Sequence, residues 1–201
     1  MDTFKFLRFS IFALAALTFV ACENDDDDDD TPPAVNEEEL ITDMVLTFTN
    51  TADQSVSTFS FSDTDGPGGN DPILDDITLS DSTVYAVSIE VLDASNPSDV
   101  EDITEEIEEE DEEHQFFFIP DNGAENALTV IYDPAELDEN GNPVGLNSTW
   151  TTIGATSSSS TVRVVLRHEL DKGATGVSNG DITNAGGETD IDVTFNLTVI
   201  E

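Results

Sequence analysis

Basic side chains are nearly missing from this 201-residue sequence, in which five lysines and arginines stand against 45 aspartates and glutamates. That balance excludes a surface made for nucleic acid or anionic membrane headgroups, both of which a polyanion repels. There is one cysteine, Cys22, so no intrachain disulfide can form and the fold must rest on its core. There are two histidines, His114 and His168, and any hydrolase triad would have to recruit one of them without local support. No P-loop or dinucleotide fingerprint occurs. These absences argue for a protein that is not an enzyme.

What is present begins with a targeting pattern. Lys5 and Arg8 form a short positive region, and the chain from Phe9 to Val20 is apolar except for Ser10 and Thr18. Twelve residues are too few for a membrane span, which needs about 20, but they suit the core of a signal peptide. Small Ala21 then precedes Cys22, as at a lipoprotein cleavage site, with Phe19 standing where leucine is usual. The expectation is a signal peptide at 1–21, removed, and lipid on Cys22, which also explains a lone thiol in an exported chain. The chain that starts at Cys22 carries 44 acidic and 3 basic side chains, a net of about −41. Residues 22–36, with aspartates at 25–30 and then Thr31-Pro32-Pro33, hold nothing to bury and read as a disordered acidic linker.

From 37 to 201 the pattern is period two. Met44, Leu46 and Phe48 alternate with Val45, Thr47 and Thr49, and Phe59 and Phe61 alternate with serines. Tyr85, Val87, Ile89 and Val91 share a face, as do Val162, Val164 and Leu166, and Ile191, Val193, Phe195, Leu197 and Val199. Shorter runs surround Phe116–Ile119, Leu128–Ile131 and Trp150. Such alternation, cut by turns at 65–69, 121–123, 140–143 and 185–187, predicts about eight half-buried strands. The fold class expected is all-β, a single antiparallel β-sandwich of immunoglobulin-like type. Val100, Ile103 and Ile107 fall at helical spacing, and Ser98 with Glu101 reads as a capping box, which predicts a short helix before the Phe116 strand.

Several phrases resemble a family of small Bacteroidota lipoproteins. They are Asp102 to Ile107 (DITEEI), Asp111 to Phe117 (DEEHQFF), Asn140 to Leu146 (NGNPVGL), Leu166 to Glu169 (LRHE) and Asp181 to Asp190 (DITNAGGETD). Members are often labelled type 1 periplasmic binding fold superfamily proteins. That label implies a two-lobed α/β binding protein of roughly twice this length, whereas the period-two pattern points to a sandwich. The acidic residues after Cys22 resemble the signal that sends such lipoproteins to the outer face of the outer membrane. The resemblance implies a cell-outer-membrane location and work beside an outer-membrane transporter, and it carries no activity.

Three groups of side chains are candidate sites. His114 and His168 each stand beside a glutamate, Glu113 and Glu169, and imidazole with carboxylate suits zinc or copper if the two strands are neighbours. Glu136, Asp138 and Asn140, followed by Gly141, resemble the first half of a calcium loop, although the twelfth position is Asn147 rather than glutamate. Arg163, Arg167 and Lys172 are the only cations beyond the signal peptide. They are expected to pair with acidic neighbours across the sheet, near Glu105 to Glu113. Three roles stay open: a non-catalytic, membrane-anchored module that binds a ligand or protein partner, a metal-binding lipoprotein, and a structural envelope protein. Mass spectrometry of the exported protein tests the anchor. The expected N-terminal peptide begins at Cys22 and carries diacylglycerol and a third acyl chain, and an unmodified thiol or a different start contradicts it.

Overall fold

The computed structural model describes residues 39–66, 68–156 and 159–201. The expected signal peptide at 1–21, Cys22 and the expected linker at 22–36 lie outside the described residues. Alternation of apolar and polar side chains builds β1 (Asp43–Asn50), where Met44, Leu46 and Phe48 are fully buried. It is followed by β2 (Val56–Ser62), β3 (Ile73–Leu74), β4 (Ile77–Ser80), β5 (Val84–Asp93) and β6 (Glu101–Asp102). After α1 (Ile103–Glu109) come β7 (His114–Asp121), β8 (Leu128–Tyr132), β9 (Asn147–Thr152), β10 (Thr161–His168) and β11 (Glu188–Ile200). The fold is all-β.

The strands form two sheets. One runs in the order β3-β2-β1-β5-β9-β8, with β6 added beside β5, and the other runs β4-β11-β10-β7. The inward faces of both supply one core. At its centre Trp150 of β9 meets Phe48 of β1 and Phe118 of β7 edge-on, with ring centroids 5.1 and 5.4 Å away. Edge-to-face contact suits the ring quadrupoles and couples one sheet to the other. Pairing is antiparallel throughout the named strands except between β4 and β11, which run parallel.

The expectation of about eight strands is corrected to eleven among the described residues. The additions are β3, β4 and β6, of two, four and two residues. Runs that short carry too little alternation to read, although Ile77 and Leu79 do point inward. The helix is present but its cap is not the expected one. Asp102, rather than Ser98, accepts a hydrogen bond from the Thr104 amide (3.1 Å). Ile103 and Ile107 are buried, whereas Val100 precedes the helix and is half exposed.

The second sheet is covered on its outer face as well. Phe117 of β7 and Val165 of β10 point away from the main core and pack under Leu170, Val177 and Ala185 of the chain between β10 and β11. Both strands are therefore buried on two sides, which is why Val162 to Leu166 lacks clean alternation in its burial. Clamping β7 and β10 in this way fixes the place where β7 begins and β10 ends.

Candidate metal centre

His114 opens β7 and His168 closes β10, and the antiparallel register makes them direct cross-strand partners. His114 follows the parity of Phe116 and Phe118, and His168 that of Val164 and Leu166, so both rings lie on the inward face at one end of the sandwich. The rings stack with centroids 4.5 Å apart and planes 20° from parallel. Neither side chain is more than 3 % exposed.

Three carboxylates surround the imidazoles: Glu39, Asp190 and Glu110, whose carboxylate lies within 4.8 Å of donor atoms of Glu39, His114 and His168. Glu39, four residues before β1, sets Oε1 3.3 Å from His114 Nε2 and Oε2 3.4 Å from His168 Nδ1. Asp190 sets Oδ2 3.9 Å from His114 Nε2 and Oδ1 3.8 Å from His168 Nδ1. The Asp190 side chain is fully buried. By the alternation of β11 it would face outward with Asp192. A bulge prevents this: Leu166 pairs with Ile191 and Arg167 with Thr189, which leaves Asp190 as the extra residue and turns it inward. The same crossing needs Gly187, since a Cβ there would lie 2.1 Å from the His168 carbonyl oxygen.

A further contact orients the His114 ring. His114 Nδ1 lies 3.2 Å from the carbonyl oxygen of Glu110, the C-cap of α1. A neutral imidazole that donates through Nδ1 presents a lone pair at Nε2, the atom that faces both carboxylates. His168 Nε2, on the far side of its ring, faces Glu113 Oε2 at 3.7 Å, and Glu113 is half exposed. The four residues His114, His168, Glu113 and Glu169 therefore do not form one shell. The histidines meet over Glu39 and Asp190. Donor atoms of Glu113, His168 and Glu169 lie within 4.8 Å of one another on the exposed side.

Among the described residues, Glu39 Oε2, His114 Nε2 and both oxygens of Asp190 are buried without a hydrogen-bond partner. Their protonation reflects this. Burial, then the negative charge of Glu39, pushes Asp190 up to about 7. Burial alone would lower His114, but its contact with Glu39 and the charges of Glu39 and Asp190 outweigh it, and the imidazole is raised. Burial would raise Glu39, yet its contact with His114 and the two imidazoles hold it below the usual range.

The residues of the candidate calcium loop are engaged by the protein's own donors. Asp138 Oδ1 accepts from the Asn140 and Asn142 amides (2.9 and 2.8 Å), and Oδ2 lies 3.2 Å from the Lys172 ammonium. Burial would raise Asp138, but these donors and the lysine charge lower it. Lys172 thus stands where a metal cation would, and it also donates to the Asp111 carbonyl. Glu136 accepts from the Asn147 amide (2.8 Å) and side chain (3.1 Å), so the residue at the twelfth position serves the loop rather than an ion. Asn140 donates its side-chain amide to Glu112.

Arg163 pairs with an acidic neighbour across the sheet, as expected. Arg163 meets Asp192 on adjacent β11 (2.6 and 2.5 Å), and Arg167 meets Gly186 O and the Thr189 hydroxyl, so only Lys172 reaches the acidic stretch after α1. Gly176-Val177-Ser178-Asn179-Gly180 spells a nucleophile elbow that sequence reading passed over. Val177–Asn179 forms a 3-10 turn, however, not the strand-to-helix corner that exposes a nucleophile.

Glu39 and Asp190 are the site residues that sequence reading missed. Glu39 sits in the run Glu37-Glu38-Glu39, indistinguishable from linker, and Asp190 is hidden by a bulge that leaves no mark in the letters. Comparison with known proteins finds no matching family model, no matching curated protein and no matching solved structure.

The shifts set the pH behaviour of the metal-free protein. Asp190 binds its proton more tightly in the fold than at its ordinary 3.8, so its contribution is full below that pH and is lost as pH rises through about 7. His114, raised above 6.5, acts in the same sense. Glu39, lowered from 4.5, opposes them and loses its contribution only as pH falls through its folded value. The urea midpoint is therefore expected to fall between pH 5 and 8, and Asp190→Asn is expected to flatten that fall. A midpoint that holds steady or rises over this range contradicts the assignment.

Proposed function

We propose that the protein is a non-catalytic, lipid-anchored envelope protein whose domain binds one divalent metal ion of the zinc class between Glu39, His114, His168 and Asp190. The observation that supports the metal is the set of buried donor atoms that have no hydrogen-bond partner. Leaving such atoms unpaired costs roughly 1–3 kcal/mol each, more where charged. Two neutral imidazoles and two carboxylates carry a charge of −2, which a divalent ion cancels. Tetrahedral zinc, with bonds of about 2.0–2.1 Å, holds its donors about 3.4 Å apart. Each imidazole nitrogen has a Glu39 oxygen near that spacing, at 3.3 and 3.4 Å, and an Asp190 oxygen at 3.9 and 3.8 Å.

The donor set narrows the ion. Two nitrogens and two carboxylates without a thiolate disfavour copper(I), and calcium takes oxygen ligands alone. Four protein ligands also close the shell, as in sites that hold an ion rather than use it, since catalytic zinc keeps an open position. This favours a metal-handling lipoprotein over a purely structural envelope protein, which needs no such cluster. The anchor and the outer-membrane location rest on Cys22, its preceding apolar run and the following aspartates. Work beside an outer-membrane transporter rests on the resemblance alone.

Calorimetry and elemental analysis test the reading. Chelator-stripped protein is expected to take up one zinc per chain. The double variant His114→Ala with His168→Ala is expected to lose at least about 100-fold in affinity, since disturbing even outer partners of a ligand costs 10–100-fold. Calcium is expected to leave both proteins unaffected. No zinc uptake, or equal affinity in the double variant, contradicts the proposal.

A further inference from the structure

The four donors are not held equally. His114, His168 and Asp190 belong to β7, β10 and β11, neighbours in one hydrogen-bonded sheet. Glu39 belongs to no strand. The first backbone hydrogen bond to the sandwich near it, among the described residues, runs from the Thr42 amide to the Leu92 carbonyl (3.0 Å), three residues further on. Between them Leu40 is half exposed and Ile41 is buried. The Glu39 side chain, 5 % exposed, bridges the edges of the two stacked histidines, one oxygen to each. Its carboxylate thus fastens the start of the domain to the end of the sandwich.

Resting on the metal reading, we propose that Glu39 is a detachable ligand, so that ion occupancy fastens the segment preceding β1 onto the sandwich and ion loss releases it. With the site empty, the two imidazoles are what hold the Glu39 carboxylate, and the Asp190 carboxylate opposes it across the same rings, out of water, where like charges repel far more strongly than in solvent. Asp190 cannot withdraw, because the bulge and the pairing of Thr189 and Ile191 hold it. Glu39 can. The sequence before it adds Glu37, Glu38 and the aspartates at 25–30, like charges that an acidic domain repels. A divalent ion turns the confrontation into shared ligation and draws the segment in. Three freed residues add up to about 10 Å of reach.

Glutamyl endopeptidase reads this directly, because it cannot cleave after a glutamate whose side chain is sequestered. The full-length protein is digested with and without zinc, and the fragments are identified by mass. Cleavage after Glu39 is expected to slow at least about 10-fold in zinc, since binding suppresses an ion-free open state by one plus the ratio of free ligand to Kd. Cleavage after Glu90, on the exposed face of β5, is expected to stay slow in both conditions and to report on the whole fold. Glu39→Gln is expected to bind zinc more weakly while His114, His168 and Asp190 still hold it, whereas His114→Ala is expected to free Glu39 whether zinc is present or not. Zinc uptake with unchanged cleavage after Glu39 overturns the inference and leaves the metal reading standing. Parallel changes at Glu39 and Glu90 overturn it too, since they mean global unfolding. Absence of zinc uptake overturns both.

Discussion

Two carboxylates and two imidazoles that meet out of water cannot stay uncompensated, and the end of this sandwich is organised around that meeting. Each charge removed from water costs several kcal/mol unless a partner returns the interaction. Asp190 has no hydrogen-bond partner among the described residues for either oxygen, and His114 has none for Nε2. Protons relieve part of the imbalance, as the upward shifts of Asp190 and His114 express. A divalent ion would relieve the rest at once, because it binds the same atoms that the protons share.

The fold supports this cluster from several sides. Cross-strand register sets the imidazoles face to face. The bulge in β11 turns one carboxylate inward, and Gly187 lets the strand pass against the His168 backbone. A second apolar layer over Phe117 and Val165 holds the two histidine strands from behind. The buried Lys172 joins that outer layer to the Asp111 carbonyl, next to the Glu110 carbonyl that orients His114. Together these supports leave Glu39, and Glu110 at the end of α1, as the donors outside the sheets.

Much of the architecture was legible because alternation is a local signal. Tyr85 to Val91 and Ile191 to Val199 announce their inward faces in their own letters. The two histidines were legible as candidates because they are the only two and each stands beside a glutamate, and His168 ends a run whose parity is clear. Register between β7 and β10 is not local, so the sequence could offer their meeting only as a condition. It assigned Glu113 and Glu169 as companions by adjacency, and adjacency in a strand sends neighbours to opposite faces. Asp190 escaped for the complementary reason: its parity says outward, and one unpaired residue reverses it. At Asp138 the calcium resemblance did not reveal the partner the fold supplies, the Lys172 ammonium 34 residues further on.

X-ray absorption at the zinc edge of the loaded protein tests the central claim most directly. The account predicts four nitrogen and oxygen neighbours at about 2.0 Å, with the outer-shell scattering of two imidazole rings. A shell of five or six oxygens without imidazole scattering, or with one ring only, would contradict a centre built on both His114 and His168.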